Sequence, residues 1–260
     1  MLRFVAALGA LAALSLAGEM PSDDQIFRDF VSWYKTYKGT FAPPAVHSAY
    51  AARLKELQVD PPEIGRRVDV LKRRMAEMPV EFSALHFDRI YAMETPPFRT
   101  SASQFLARMV DGRKTGRALD VAMGQGRNSL FLAAAGWDVT GYDISEGGMA
   151  AANAAAARAG VKINTVHATH EAFDYGIAQW DLIVETFAFT NLSDASYRKR
   201  VIDSLKPGGL LVIEGFGGGP PNVMLEGFRD LRVVAYEDRQ DVSDWGLQPM
   251  PLVRLAAQKQ

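Results

Sequence analysis

The chain has 260 residues, 48% hydrophobic and 23% charged, which is enough to bury a core without disulfide or metal staples. Lys and Arg total 29 against 30 Asp and Glu, so no overall field favours nucleic acid or an acidic partner. The absence of cysteine excludes disulfides, thiolate metal sites, a cysteine nucleophile and a lipobox anchor.

Residues 1–17 carry Arg3, an apolar or small run from Phe4 to Leu14, then Ser15-Leu16-Ala17. These are the parts of a secretory signal peptide. The run is shorter than the about 20 residues that span a bilayer. An exported protein is therefore expected, periplasmic or secreted, or tethered by an uncleaved leader. Residues 18–110 read as a helical layer broken by proline pairs. Ile26, Phe30, Trp33 or Tyr34, and Tyr37 share a helical face. AVHSAYAARLKELQ follows Pro43-Pro44 and is stopped by Pro61-Pro62. EIGRRVDVLKRRMAEM then sets Ile64, Val68, Leu71 and Met75 at core spacing. Its basic run, Arg66, Arg67, Lys72, Arg73 and Arg74, reads as a solvated face or, more sharply, as a contact for anionic lipid. Ser101 or Ser103 is placed to cap a helix carrying Phe105, Leu106, Met109 and Val110.

Residues 111–260 change pattern. Apolar strands RALDVAM, WDVTGYD, VKINTVHA, WDLIVETFAF and LLVIEGF alternate with helices. LRVVAYED and PLVRLAAQ bring the strands to seven. Ser145 is expected to cap an alanine-rich helix closed by Gly160, and Ser193 the next one, which ends at Lys206-Pro207-Gly208-Gly209. This alternation predicts an α/β fold, a mainly parallel sheet with helices on both faces.

LDVAMGQGRNS places Gly124 to Arg127 at the carboxyl end of the first strand, where such sheets bind ligands. Gly124 and Gly126 permit close backbone approach. The G-x-x-x-x-G-K-[ST] cradle for a triphosphate is absent. A dinucleotide frame would need glycine or alanine where Ser129 stands. Asp143 follows the loop at the interval of about 20 residues that suits a ribose diol. A nicotinamide or an adenosyl ribose would use it equally, so the residues alone leave both open.

ALDVAMGQGRNSLFLAAAGWDVTGYDIS resembles motif I and the second strand of class I S-adenosylmethionine-dependent methyltransferases, particularly small-molecule and tellurite-resistance-type members. WDLIVETFAF is similar to that family's fourth strand, and SLKPGGLLVIEGF to its proline-glycine-glycine turn and fifth strand. The resemblance covers about residues 98–259. It implies a Rossmann-like seven-stranded methyltransferase sheet with an N-terminal helical layer as lid. It also implies the cofactor S-adenosyl-L-methionine and a small-molecule methyl acceptor. Asp120 would orient the loop or meet the methionine amino group. Ala122, which stands where the pattern has glycine, Gly124 and Gly126 would line the methionine and ribose. Asp143 would take the ribose hydroxyls and Ile144 would pack on adenine. Thr169, His170 or Glu171 would stand in for the adenine-contacting acid. Glu185 would border the reacting methyl.

A sulfonium is already an activated donor, so the protein need only align the partners and exclude water, with a base where the acceptor is protonated. His86, His170 and Glu185 are the candidate groups for such chemistry. Tyr91 and Phe98, in the segment similar to the family's N-terminal region, are candidates to close the site. His47 reads as a surface group, His167 as structural and Trp180 as packing at the base of its strand. No basic patch interleaved with aromatics appears, and Glu185-Thr186-Phe187-Ala188 replaces the Asn-Pro-Pro-Tyr motif for base amines. Nucleic acid is therefore disfavoured as acceptor. The competing readings are a non-catalytic methyltransferase-fold binding protein and a nicotinamide dehydrogenase. Because the cofactor is made inside cells, cytoplasmic residence is the alternative to export.

Overall fold

The computed structural model describes residues 20–38, 43–219, 222–245 and 247–260. The expected leader, residues 1–17, lies outside the described residues. The chain divides into two compact units after Glu77, before a helix that packs with the sheet-bearing part, rather than after Val110.

The first unit holds α1 (Asp23–Tyr34), α2 (Pro43–Glu56) and α3 (Pro61–Glu77). Ser22 caps α1, its side chain accepting from the Gln25 amide at 3.2 Å. Ile26, Phe30 and Tyr34 are the buried face of α1, and Phe30 meets Tyr50 edge-on at 5.2 Å. The proline pairs begin α2 and α3 instead of ending what precedes them. Proline fits a first turn because its missing N–H would be unpaired there anyway. The basic run on α3 is spent on carboxylates. Arg66 and Arg67 both donate to Glu63, Lys72 to Asp69, Arg73 to Asp23 and Arg74 to Asp24. Hydrogen bonds from Arg66 and Arg67 hold the Glu63 carboxyl down at about 2.

The second unit begins with α4 (Pro79–Tyr91) and α5 (Gln104–Val110). It continues with β1 (Arg117–Val121), α6 (Arg127–Ala134), β2 (Asp138–Asp143), α7 (Glu146–Ala159) and β3 (Asn164–His167). β4 (Trp180–Thr186), α8 (Ala195–Ser204), β5 (Leu205–Phe216), α9 (Val223–Gly227), β6 (Arg232–Val242) and β7 (Pro249–Gln258) complete it. The seven strands pair in the order β3-β2-β1-β4-β5-β7-β6. β1 to β5 run parallel, and β7 is antiparallel to both β5 and β6.

Strand alternation sorts the core into two layers. Leu119, Val121, Ile183, Leu211 and Ile213 face Tyr197 and Val201 of α8. Ala118, Leu182, Val184, Leu210 and Val212 face α5 and α6. Each buried Val, Leu or Ile among these stabilises the fold by about 1.5–3 kcal/mol. Ser103, not Ser101, caps α5, accepting from the Leu106 amide at 3.2 Å. Ser145 caps α7 as expected. α8 is capped by Asp194 rather than Ser193, because the Asp194 carboxylate reaches the Ser196 amide at 2.8 Å. The Lys206–Gly209 stretch, expected as a turn after α8, lies inside β5 as an irregularity between the Leu205–Trp180 and Leu210–Leu182 pairs, with Gly208 in the left-handed region. A Cβ on Gly209 would lie 2.9 Å from the Trp180 carbonyl, which accounts for the second glycine.

Candidate functional site

Past Val121 the chain turns sharply. Ala122 and Gly124 both take φ +52°. That region costs a residue with a Cβ roughly 1–2 kcal/mol, so Gly124 adopts it freely and Ala122 under strain. Gly124 also has no room for a side chain, since a Cβ there would lie 2.3 Å from the Tyr91 hydroxyl oxygen. A Cβ on Gly148 would lie 2.8 Å from the Tyr91 ring. The phenol thus passes between the loop and the start of α7.

Asp143, at the end of β2, pins this geometry. Its Oδ2 accepts from the Gly124 amide and its Oδ1 from the Ser145 amide, each at 2.8 Å. It is 5% exposed, and burial pushes its carboxyl above the usual range despite those two donors. α4 is fastened across the same point. Asp88 accepts from the Ser145 hydroxyl at 2.6 Å and from the Gly147 amide at 2.9 Å. The Gln125 side chain donates to the Tyr91 carbonyl at 2.9 Å.

A cavity of about 820 Å³ opens over this loop, near the upper end of the roughly 300–1,000 Å³ of small-molecule sites. Among the residues expected at the site, Ala122, Gly124, Asp143, Ile144, Thr169 and His170 line it. So do Glu171, His86, Tyr91 and Phe98. Asp120, Gly126 and Glu185 stand behind its wall. Asp120 lies on the α6 side of β1 and accepts from the Ser129 hydroxyl at 2.6 Å, fastening the first turn of α6. Burial raises its carboxyl to about 6. Gly126 caps α6 and packs on Ala152. Trp180 is buried and donates to the Tyr175 carbonyl.

Glu185 is the main departure from expectation. It shares the β4 face of Ile183 and points towards α8. There it accepts from the Tyr197 hydroxyl at 2.7 Å and the Thr190 hydroxyl at 3.0 Å. It is 1% exposed, and burial raises its carboxyl to about 7. Thr186, one residue on and therefore on the other face, reaches the cavity and accepts from the Asn128 side chain at 2.7 Å.

His170 has both ring nitrogens engaged. Its Nε2 lies 3.1 Å from the Ala188 carbonyl, which can only accept, so Nε2 carries the proton. Its Nδ1 then accepts from the Tyr142 hydroxyl at 2.8 Å. Burial holds its pKa below the usual value. His86 lies on α4, and burial first, then the Arg89 charge, lowers it to about 4. His47 contacts Met75 at 3.3 Å, and His167 contacts the Ile144 carbonyl at 3.1 Å.

The clamp at the cavity rim was not legible in the sequence. Arg127, first residue of α6, donates to Asp244 at 2.7 Å and to the Ser101 carbonyl at 3.1 Å. The Arg99 amide donates to the Asp244 carbonyl at 2.8 Å. Phe98 and Trp245 form an isolated antiparallel bridge. The arginine of G-x-G-R-N-S was the available signal, but its partner lies 117 positions away. Phe87, Phe189 and Trp245 also line the cavity and carry no motif.

The donor set fits an adenosyl ligand. A carboxylate has about four acceptor positions; at Asp143 the Gly124 and Ser145 amides take two and the Ile144 amide also donates, leaving capacity for a further donor such as a ribose hydroxyl. The turn beside it leaves backbone rather than side chain facing the cavity. Residues 118–209 match the family model for the methyltransferase domain. With the strand order, this gives the second unit a Rossmann-like methyltransferase fold.

More particular likenesses are partial. A ubiquinone biosynthesis O-methyltransferase of Ruegeria pomeroyi is 32% identical over 105 residues, 40% of this chain and 42% of that protein. The chain thus aligns with about two fifths of that curated relative's length. TehB from Haemophilus influenzae superposes with a TM-score of 0.55 at 22% identity, over 62% of this chain and 64% of its own. The N-methyltransferase NodS from Bradyrhizobium japonicum, solved with S-adenosyl-L-homocysteine, gives 0.54 at 16% identity over 68% and 98%. At these identities the two structures show the fold alone.

Two outcomes follow from the site's strain and burial. Ala122→Gly relieves the left-handed conformation, so its urea stability is expected to be unchanged or raised by up to about 1 kcal/mol. A loss larger than that would make the Ala122 methyl a packing group instead. Glu185 has a folded-state pKa raised from 4.5 to about 7. Its contribution is therefore complete below about pH 4.5 and is lost as pH rises through about 7. Glu185→Gln is expected to gain about 2–3 kcal/mol relative to the wild type between pH 4.5 and 8. An unchanged difference across that range would contradict the buried environment described.

Proposed function

We propose that the second unit transfers a methyl group from S-adenosyl-L-methionine to a small-molecule acceptor by in-line displacement. The observation that carries this reading is Asp143, a buried carboxylate with acceptor capacity remaining, beside the left-handed Gly124 turn on the cavity wall. When bound, the cofactor supplies a methyl group already activated by its positive sulfur. The chain's own residues hold and shield. Asp143 takes the ribose diol, Ala122 and Gly124 run beside the methionine portion, and Ile144 and Thr169 border the adenine. Tyr91 and α4 exclude water from the loop, which strengthens electrostatic contacts inside.

A protonated acceptor needs a proton acceptor as well. His86 serves best among the histidines. It lines the cavity and is neutral at pH 7, although the burial that lowers its pKa to about 4 also makes it a weak base. His170 has both nitrogens committed, and Glu185 lies behind the wall.

Calorimetric titration with S-adenosyl-L-homocysteine tests the reading. The wild type is expected to bind, and Asp143→Ala to bind about 100-fold more weakly, two charge-assisted hydrogen bonds being lost. A folded wild type that gives no heat contradicts the proposal. Binding without turnover over a broad acceptor panel favours a non-catalytic binding protein.

A further inference from the structure

One wall of the cavity is a continuous belt of aromatic rings brought from four places in the second unit. α4 supplies Phe87 and Tyr91, whose ring centroids are 6.0 Å apart. Tyr91 meets Phe98 edge-on at 5.8 Å. Phe98 stacks on Trp245, from the β6–β7 turn, at 5.0 Å and 18°. Trp245 meets Phe189, from the loop after β4, at 6.3 Å, and Phe189 returns to Phe87 at 6.3 Å. All five line the cavity. None is fully buried, and Phe189 is 62% exposed.

The loop that presents Phe189 is strained. Phe187 has φ +54° and Phe189 φ +55°. A bulky side chain in that region is an outlier, and such strain concentrates at ligand clamps. Burying aromatic rings inside would be the favoured outcome were packing alone at issue. Here the backbone instead holds a phenyl ring out at the cavity.

Charge beside the belt is already satisfied. Asp244 is held by Arg127 at 2.7 Å and Arg99 at 3.3 Å. Among the described residues no lysine lines the cavity. Arg158, the other lining arginine, sits ten residues beyond Gly148 on α7, about 15 Å along the helix. Asp244 and the arginines that hold it are thus committed to one another and offer a ligand at the belt no free charge.

We infer that the belt stacks a planar, uncharged aromatic ring, which on the methyl-transfer reading is the acceptor, and that Trp245 and Phe189 determine this preference. In the transfer, a bond forms between the acceptor heteroatom and the methyl carbon as the sulfonium–methyl bond breaks. The sulfur leaves as a neutral thioether, and the acceptor's proton passes to His86 or to solvent. The clamp at Asp244 positions Trp245 without touching the reacting atoms.

The test is calorimetry on the full chain saturated with S-adenosyl-L-homocysteine, using three ligands of one frame: naphthol, saturated decahydronaphthol and charged naphthoate. Naphthol is expected to bind about tenfold more tightly than either of the others, the order of one ring-stacking contact. Trp245→Ala and Phe189→Ala are each expected to weaken naphthol by about tenfold while leaving S-adenosyl-L-homocysteine affinity within about threefold. Equal binding of the three ligands, or tighter binding of naphthoate, overturns the inference. So does an unchanged naphthol affinity in both variants. If S-adenosyl-L-homocysteine itself fails to bind, the methyl-transfer reading falls separately, and the same series on the ligand-free protein still decides what the belt holds.

Discussion

The site depends on one carboxylate holding two backbone amides. Asp143 ends β2, and its two oxygens reach in opposite directions, to Gly124 in the loop after β1 and to Ser145 at the start of α7. Neighbouring parallel strands place these two segments side by side, but pairing alone leaves the Gly124 and Ser145 amides unsatisfied. Buried amides left unpaired cost about 1–3 kcal/mol each, so the carboxylate fixes the loop at the same time as it forms a polar wall. Its own charge is disfavoured by burial. Further hydrogen-bond donors, such as a ligand diol, stabilise it in the ionised form.

The same point fastens α4. Asp88 caps the start of α7 beside Ser145, and Tyr91 fills the gap that two glycines leave open. This is the physical reason that the compact second unit begins at Met78. A helix whose end is hydrogen-bonded to the loop after β1 is part of the site, whereas its sequence pattern groups it with the helices before it. Polar groups thus line the cavity at Asp143, and an aromatic belt runs from Tyr91, beside that loop, to Trp245 and Phe189. The division suits a ligand with a polar nucleoside at one side and a flat apolar partner at the other.

Much of this was legible in the sequence because it rests on local signals. Apolar runs marked all seven strands, and the Gly124–Asp143 interval marked the loop and its acid. What was not legible turned on facing direction and distant pairing. The proline pairs read as stops, although at 43–44 and 61–62 they open helices. Glu185 looked like a strand-end carboxylate beside the chemistry. Strand alternation turned it to α8 and gave the cavity Thr186 instead. Asp244 and Trp245 lie in a turn with no motif, and only the antiparallel return of β7 carries them to Arg127 and Phe98. A sequence shows that G-x-G-R-N-S starts a helix; it does not show which carboxylate its arginine meets.

On the proposed function, the Asp143-pinned loop receives the ligand. Hydrogen exchange of backbone amides, followed by mass spectrometry with and without S-adenosyl-L-homocysteine, tests it most directly. Peptides covering residues 120–129 and 143–148 are expected to exchange at least about tenfold more slowly with the ligand bound, because opening of the loop then requires ligand release. Unchanged exchange in both segments at saturating ligand would contradict it.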